Sequence, residues 1–221
     1  MNELMENIDV FPAVDTVETL PYNRLMSFED YLEAEETAAE KHEFHNGQLH
    51  TTPEGTDAHN EISGNVITAV NNALFVKDDD ATHVYTSDMK VQIISENKAV
   101  YPDGTVVQGA PIYYLGRRSV VMNPTLIVEV LSNSTENYDK SDKFNDYRTL
   151  ESFREYVFVS QDKPKVEVYF LQNPEEKLWK ITTYEGLDKV VDLYSIGCQI
   201  TMKQIYHRIF KAEAAKEDPS V

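Results

Sequence analysis

Tyr101-Pro102-Asp103-Gly104-Thr105-Val106-Val107 and Thr125-Leu126-Ile127-Val128-Glu129-Val130-Leu131 are two strand-like stretches that each carry one carboxylate. Short runs of aliphatic and β-branched residues are typical of buried strands, so the two stretches predict adjacent strands of a central sheet. Burying a carboxylate costs free energy unless it has a partner. Asp103 and Glu129 therefore each need a basic side chain or a metal ion nearby.

The remaining patterns predict helices alternating with strands. Asn46-Gly47 between short strand-like flanks predicts a hairpin with Glu43 on its first strand. Ser27 opens a capping-box pattern, and Asp57 is the expected N-cap of a helix with an apolar residue at every fourth position. The predicted helices cover 28–41, the stretch from 57 to the loop at 77–80, 138–150 and 201–211; the predicted strands cover 82–86, 89–94, 99–108, 125–131, 155–160, 165–171 and 178–184.

We expect one α/β or α+β domain over residues 27–211, with a mixed central β-sheet flanked by helices. Residues 1–26 are expected to form an N-terminal arm, and residues 212–221 a disordered polar tail. The single cysteine, Cys198, excludes an intramolecular disulfide framework and favours a reducing compartment. No stretch predicts an export signal or a membrane span, so we expect a cytoplasmic protein.

The net charge of −18 argues against a broad basic surface for nucleic acid. The charge is unevenly distributed, since residues 1–61 hold fifteen acidic and two basic side chains, whereas residues 136–165 hold seven and six. If a polyanion binds, the second stretch is the expected contributor. The alternative is a solvated helix face with ordinary paired charges.

Two carboxylates on adjacent strands can share one hard cation. Magnesium prefers oxygen ligands and keeps several waters, so Asp103, Glu129 and the backbone carbonyl of Val130 would be sufficient ligands; Mn²⁺ is the alternative ion. Such an ion makes a bound water more acidic and neutralises charge on a phosphoryl oxygen, which is the chemistry of phosphodiester hydrolysis. In the alternative interpretation, Asp103 is a turn residue and Glu129 forms a buried ion pair with a lysine or arginine.

A wider set of motifs resembles the Uma-type restriction endonuclease family of the PD-(D/E)XK nuclease superfamily, over roughly residues 27–209. The matching segments are Tyr101-Pro102-Asp103 before a β-run, Asn123-Pro124 leading into the strand of Glu129, Ser134-Thr135, Tyr138-Asp139, Lys143, Ser87-Asp88-Met89, Arg154-Glu155-Tyr156-Val157, and Gly186-Leu187. The resemblance implies a restriction-endonuclease-like core and Mg²⁺-dependent cleavage of nucleic acid.

The resemblance also assigns roles to individual residues. It makes Asp103 the motif aspartate, Glu129 the second acidic ligand and Glu43 a further acidic residue of the site. Leu131 stands where the motif lysine is usual, and we expect Lys143 to replace that lysine from the following helix. His59, Asp88 and Gln161 are candidates to support the ligands, with ordinary hydrogen bonding in the core or loops as the alternative for each.

The sequence therefore predicts a Mg²⁺-dependent endonuclease that acts on DNA, with a homodimer as the expected assembly. The alternative function is a catalytically inactive module of the same fold that binds or regulates. The net charge and the missing motif lysine favour this alternative.

Overall fold

The computed structural model describes residues 25–52, 54–131 and 139–210. Within these ranges the helices are α1 (Phe28–Glu35), α2 (Asp57–Lys77), a π-helical turn (Asp139–Lys143) that continues into α3 (Phe144–Tyr147), and α4 (Met202–Ile205). The strands are β1 (His42–His45), β2 (Gln48–Thr51), β3 (Thr82–Thr86), β4 (Lys90–Ile93), β5 (Lys98–Val100), β6 (Gly104–Gln108), β7 (Val120–Val121), β8 (Leu126–Leu131), β9 (Glu155–Ser160), β10 (Lys165–Asn173), β11 (Leu178–Glu185), β12 (Val190–Leu193) and β13 (Cys198–Thr201).

The strands form two larger sheets and one hairpin. The six-stranded sheet has the order β11-β10-β9-β8-β6-β3, and the five-stranded sheet has the order β2-β1-β5-β4-β7. In the six-stranded sheet only β8 and β9 pair in parallel, which confirms the expected mixed sheet. Parallel neighbours require a crossover connection, and the π-helical turn and α3 belong to it.

The elements stack in layers around two main apolar clusters. One cluster lies between the two sheets and includes Val100, Ile127 and Phe158. The other lies on the opposite face of the six-stranded sheet, where α2 and the β12–β13 hairpin cover it. On the outer face of the five-stranded sheet, Tyr31 and Leu32 of α1 belong to a third apolar cluster with Phe44 of β1, Ala99 of β5 and Val120 of β7. The central strands β8 and β9 are therefore buried on both faces, which explains the apolar run that each contains.

Several predicted boundaries are wrong, and the largest error concerns the site. The predicted strand 99–108 is two strands in different sheets, because Tyr101-Pro102-Asp103 turns the chain from β5 into β6. Proline cannot donate a ladder hydrogen bond, which favours this break. Asp103 therefore lies immediately before a strand and not inside one.

The prediction of α2 is confirmed, but the other three helix predictions were too long. The first helix ends at Glu35 because the Glu35 carboxylate accepts a hydrogen bond from the His42 backbone and ties the returning chain to the helix end. The predicted helix 138–150 is a π-helical turn followed by a four-residue α-helix, with residue 138 outside the described residues. The last helix covers Met202–Ile205 only, and Thr56, not Asp57, caps α2.

The β12–β13 hairpin was not predicted. The predicted arm over 1–26, apart from Leu25 and Met26, and the tail over 212–221 lie outside the described residues. Among the helices that the structure describes, none has the length and apolar character needed to cross a membrane.

The Asn46-Gly47 hairpin between β1 and β2 is confirmed and gives a stability prediction. Both turn residues have positive φ, at 52° and 87°, as a type I′ turn requires. A Cβ at Gly47 would lie 3.1 Å from the Leu25 Cβ. We expect Gly47→Ala to lower the free energy of unfolding by about 1–2 kcal/mol, because an L-residue is strained in this conformation.

Gly64→Ala is the matched control. Gly64 lies in the middle of α2, and a Cβ there meets no atom within 4 Å. Alanine at this position should raise the free energy of unfolding by roughly 1 kcal/mol. Urea unfolding measures the free energy of unfolding of both variants. A Gly47→Ala variant as stable as the unsubstituted protein would contradict the assignment of the turn.

Candidate functional site

The chain crossing between the two sheets places Asp103 beside the end of β8. Gly104 of β6 pairs with Val128, so Asp103 lies one position beyond the ladder, near Glu129 and Val130. The Val130 backbone N–H donates to Asp103 Oδ2 at 2.7 Å. The Asp103 side chain thus takes the place of the next backbone acceptor in the ladder, which fixes its carboxylate against β8.

Lys143 lies at the centre of a buried group of carboxylates. Its Nζ is 3.0 Å from Glu129 Oε1, 3.5 Å from Asp139 Oδ1 and 3.6 Å from Glu43 Oε1. The Lys143 and Glu129 side chains are only 9% and 6% exposed, so these contacts are screened little by water. Lys143 reaches them from the π-helical turn, a rare conformation that is frequent at functional sites.

The electrostatics of the group follow from burial and from its charges. Burial raises the pKa of Glu129 well above its ordinary value, the Asp103 and Asp139 carboxylates act in the same direction, and Lys143 opposes them. Burial acts to lower the pKa of Lys143, but Glu129 and Glu43 hold that pKa well above its usual range. The lysine therefore remains charged, whereas the buried environment of Glu129 opposes its charge.

His59 is the second basic group of the site. Its Nε2 lies 3.2 Å from Asp103 Oδ2, and this hydrogen bond raises the pKa of His59 although burial opposes the change. His59 belongs to the first turn of α2, whose capping residue Thr56 contacts Gln161 at 3.3 Å. The N-terminal end of α2 therefore lies beside Asp103 and is held there by the contacts of His59 and Thr56.

Negative charge exceeds positive charge in this group. Four carboxylates (Glu43, Asp103, Glu129 and Asp139) face one lysine and two histidines, His45 and His59. None of the hydrogen bonds among the described residues uses Asp103 Oδ1 or Glu129 Oε2. These two oxygens are hard donors, one on β8 and one immediately before the neighbouring strand β6, and Mg²⁺ is commonly held by one or two carboxylates with the remaining positions filled by water.

The donor set therefore fits a hydrated magnesium ion. It does not fit a metal held entirely by protein side chains, because the described residues contain no group of three or more His, Cys, Asp or Glu side chains arranged to hold a metal. The Val130 N–H faces Asp103, and the N–H and C=O of one strand residue point to the same side, so its carbonyl faces the same edge.

Most of the predicted site residues meet in the structure. Glu43 joins the group through Lys143 and accepts a hydrogen bond from the Tyr101 backbone at 3.2 Å. Lys143 reaches back to Glu129 from the turn that follows β8, as expected, and its role as the motif lysine stays a prediction. Glu129 forms the buried ion pair that the alternative interpretation considered, with Lys143 as its partner.

Asp88 lies outside the group. Its side chain is 81% exposed and pairs with Lys41 at 2.5 Å, so the structure contradicts a supporting role for Asp88. Its position in a turn between β3 and β4 explains why a sequence motif alone misplaced it.

Two members of the site were not predicted. Asp139 contacts Lys143 four residues later, and this i,i+4 spacing was a signal available in the sequence. His45 contacts Glu43 Oε2 at 3.2 Å. Burial alone would raise the pKa of Glu43, but Lys143 and His45 hold it below its ordinary value. His45 and Glu43 lie two apart on β1, and period-two spacing places them on one face.

Comparison with known proteins agrees with this architecture. The model of the Uma2 family, described as "Putative restriction endonuclease", matches residues 28–203. Two proteins of Synechocystis sp. are similar in sequence. The uncharacterized protein slr1290 is 32% identical over 188 residues, covering 84% of this chain and 93% of the relative. The uncharacterized protein sll1609 is 31% identical over 163 residues, which cover 74% of this chain and 89% of the relative.

One solved structure has the same fold. It is the crystal structure of "a putative nuclease belonging to DUF820" from Anabaena variabilis, which superposes with a TM-score of 0.64 and 13% sequence identity. The match covers 84% of this chain and 99% of the other, so nearly the whole neighbouring domain is reproduced. With the family match extending from α1 to α4, the chain belongs to the Uma2 family, described as "Putative restriction endonuclease", and it shares the fold of the Anabaena variabilis protein.

Proposed function

We propose that this protein is a Mg²⁺-dependent endonuclease that hydrolyses phosphodiester bonds of DNA. The observation that supports the proposal most strongly is the excess of buried carboxylates around Lys143, with one oxygen each of Asp103 and Glu129 outside any hydrogen bond of the described residues. A divalent cation at these oxygens would offset the charge repulsion and the burial cost that raise the pKa of Glu129.

Asp103, Glu129 and the Val130 carbonyl are the residues that would hold the ion, with Mn²⁺ as an alternative to Mg²⁺. When bound, the ion supplies a more acidic water and charge neutralisation at the phosphate. His59 and the Val130 N–H hold Asp103 in position, because both contact its Oδ2.

Lys143 is assigned to the task of the motif lysine. A charged amine beside Glu129 can orient the attacking water and stabilise negative charge that develops on the phosphate oxygens. Glu43 and Asp139 hold the ammonium group from two other sides, so its position does not depend on Glu129 alone. These two contacts would keep Lys143 in place if Glu129 bound a metal ion.

Substitution of the two proposed ligands tests the reaction. We expect the purified protein to cleave plasmid DNA with Mg²⁺ or Mn²⁺ but not with EDTA, and Asp103→Asn and Glu129→Gln each to lower the rate at least about a hundredfold, the scale of losing electrostatic stabilisation at a reacting centre. Agarose-gel assays of nicking and linearisation measure the rate.

Asp88→Asn provides the control, since it also removes one carboxylate but at a site that is 81% exposed. Its cleavage rate should equal that of the unsubstituted protein. Full activity in Asp103→Asn or Glu129→Gln would remove the proposed site.

The buried ion pair also favours a second candidate function, a nuclease fold without catalysis, in which Lys143 only neutralises its neighbours. Isothermal titration with Mn²⁺ distinguishes the two. The nuclease proposal requires a heat of binding that is lost in Glu129→Gln, whereas the inactive module has no such heat.

Lys143→Met tests the charge balance independently of cleavage. At pH 7 it leaves buried carboxylates without their cation, so the free energy of unfolding should fall by roughly 3–5 kcal/mol. In this variant Glu129 loses the charge that opposes the effect of burial, so its pKa in the folded state lies further above its ordinary value. The folded state then binds more protons than the unfolded state, and stability should recover as the pH falls from 7 to 5.

Denaturant unfolding at both pH values measures the effect, and Lys143→Arg is the control that keeps the charge. A Lys143→Met variant whose stability does not rise on acidification, relative to the unsubstituted protein, would show that the carboxylates do not depend on Lys143.

Two finer features belong to the proposal. A homodimer would allow both DNA strands to be cut. A cytoplasmic location agrees with the use of a single cysteine, which is buried in the structure.

A further inference from the structure

The chain between β6 and β7 folds back along β7 as a small hairpin. Tyr113 forms an isolated antiparallel bridge with Val121 of β7. Residues 115–118, here called the tip, lie at the closed end of this hairpin. Because β7 belongs to the five-stranded sheet, the sheet fixes the position of the tip.

Leu115 occupies its place in the tip at two costs. Its side chain is 78% exposed, although an apolar side chain of this size gains free energy from burial. Its backbone has φ 45° and ψ 32°, in the left-handed region that residues with a bulky side chain rarely adopt. Backbone strain that holds an apolar side chain out in the solvent points to a binding role.

The tip is also the basic part of a stretch without acidic residues. Residues 104–128 contain Arg117 and Arg118 and no aspartate or glutamate, in a chain with a net charge of −18. Arg117 Nη1 lies 2.6 Å from Glu36 Oε1. Arg118 lies over the Tyr113 ring, 5.4 Å from its centroid, and forms no ion pair with a carboxylate in the part of the chain that the structure describes. The exposed Arg118 guanidinium can therefore accept an anion.

Lys90 lies between the tip and the proposed site. Its backbone N–H donates to the Ser119 carbonyl at 3.1 Å, and its Nζ lies 5.1 Å from the centroid of the Tyr101 ring. Among the described residues no carboxylate forms an ion pair with Lys90. Burial lowers the pKa of Lys90, although Glu35 and Glu36 oppose the change, so an anion beside the ammonium group would favour its charged form.

The tip and the proposed site lie at the same end of the five-stranded sheet. In the order β5-β4-β7, Val100 pairs with Val91, and Lys90 pairs with Val120. The Tyr101-Pro102-Asp103 turn follows Val100 directly, and the tip ends just before β7 begins. Two strand spacings of about 4.8 Å therefore separate this turn from the start of β7 by roughly 10 Å.

We propose that the tip docks on duplex DNA beside the site, with Arg118 and Lys90 on backbone phosphates and Leu115 in the adjacent groove. This inference rests on the proposed function, because it takes duplex DNA as the substrate and the Asp103 end of the sheet as the point of cleavage. Successive phosphates of one strand rise about 3.4 Å along the duplex, so a separation of roughly 10 Å corresponds to about three base steps.

The chemistry of the tip fits DNA better than a second copy of the chain. A protein with a net charge of −18 repels a polyanion, so attraction must come from local basic groups such as this one. Arginine binds phosphate through two parallel hydrogen bonds. An apolar side chain next to basic residues is a combination that proteins use to contact base steps in a groove.

Salt-dependent binding of a fluorescent DNA duplex in EDTA tests the phosphate contacts without relying on cleavage. We expect Arg118→Gln and Lys90→Gln each to weaken binding and to reduce the slope of log K against log salt concentration by about 0.9, the value for one lost phosphate contact. Fluorescence anisotropy at several salt concentrations measures the slope. Arg118→Lys and Lys90→Arg keep the charge and should keep the slope of the unsubstituted protein.

Lys177→Gln is the matched control for charge. Lys177 is an exposed lysine in the β10–β11 turn, at the end of the six-stranded sheet where β8 begins. Its substitution removes the same charge and should leave the slope unchanged. Unchanged slopes in both Arg118→Gln and Lys90→Gln would overturn the inference.

Leu115→Asn tests the groove contact separately. Asparagine adopts the left-handed region more readily than leucine, so urea unfolding should show this variant to be at least as stable as the unsubstituted protein. Its DNA affinity should nevertheless fall about tenfold at a fixed salt concentration, because an apolar contact is lost. The salt slope should not change, since this substitution removes no phosphate contact.

Leu178→Asn is the control for Leu115→Asn, because Leu178 is also an exposed leucine, at 52%, but lies at the start of β11. Its DNA affinity should equal that of the unsubstituted protein. Full affinity in Leu115→Asn would overturn the inference. A change of oligomeric state in Leu115→Asn by sedimentation velocity, with DNA affinity unchanged, would assign the tip to a second copy of the chain and overturn it as well.

Absence of DNA binding by the unsubstituted protein would also overturn the inference. Because binding is measured without a divalent cation, these results do not depend on whether the protein cleaves DNA. A protein that binds with the expected effects but never cleaves would refute the proposed function and leave the docking surface standing. Cleavage by a protein whose tip variants bind normally would do the reverse.

Discussion

The buried contact between Lys143 and Glu129 is the interaction on which the site depends. Glu129 lies in a strand with apolar neighbours on both faces, and a bare carboxylate there would cost several kcal/mol. Lys143 supplies the compensating charge from the crossover between β8 and β9, so the topology of the parallel pair and the chemistry of the site are linked. The crossover must pass over this sheet face to reach β9, and it delivers the lysine on the way.

The surrounding elements hold this contact from three directions. The β1 strand brings Glu43, the turn between β5 and β6 brings Asp103, and the start of α2 brings His59. Each comes from a different layer of the molecule, and none could approach Glu129 unless both sheets and α2 were packed. Formation of the site is therefore coupled to folding of the whole domain, and the lysine's three carboxylate contacts explain why it stays charged despite burial.

The sequence predicted the mixed sheet, the β1–β2 hairpin and the main acidic residues because each has a local signal. Asn46-Gly47 specifies its turn, and the run around Glu129 is too apolar for an exposed strand. Lys143 was also expected to reach the site, and the structure places its Nζ beside Glu129. Its geometry was not predictable, because a π-helical turn has no propensity signature and the contact joins residues fourteen positions apart.

Other predictions from the sequence were wrong because tertiary contacts override the local preferences of the chain. Residues 36–41 favour a helix by composition, yet the Glu35 carboxylate binds the chain that follows. Asp103 was expected inside a strand, although Pro102 interrupts the ladder just before it. The pairing of β8 with β9 and of β9 with β10 was not predicted either, because sequence patterns do not determine which strands become neighbours.

The central claim is that the carboxylates of Asp103 and Glu129 together accept one divalent cation while Lys143 stays beside them. Anomalous diffraction from crystals soaked in Mn²⁺ measures this directly. The account predicts one strong peak within about 2.0–2.4 Å of both carboxylates, the range for hard cations bound to oxygen, with Lys143 still in contact with Glu43 or Asp139. Well-ordered crystals at high Mn²⁺ concentration with no peak there, and with Glu129 still bound only to Lys143, would contradict it.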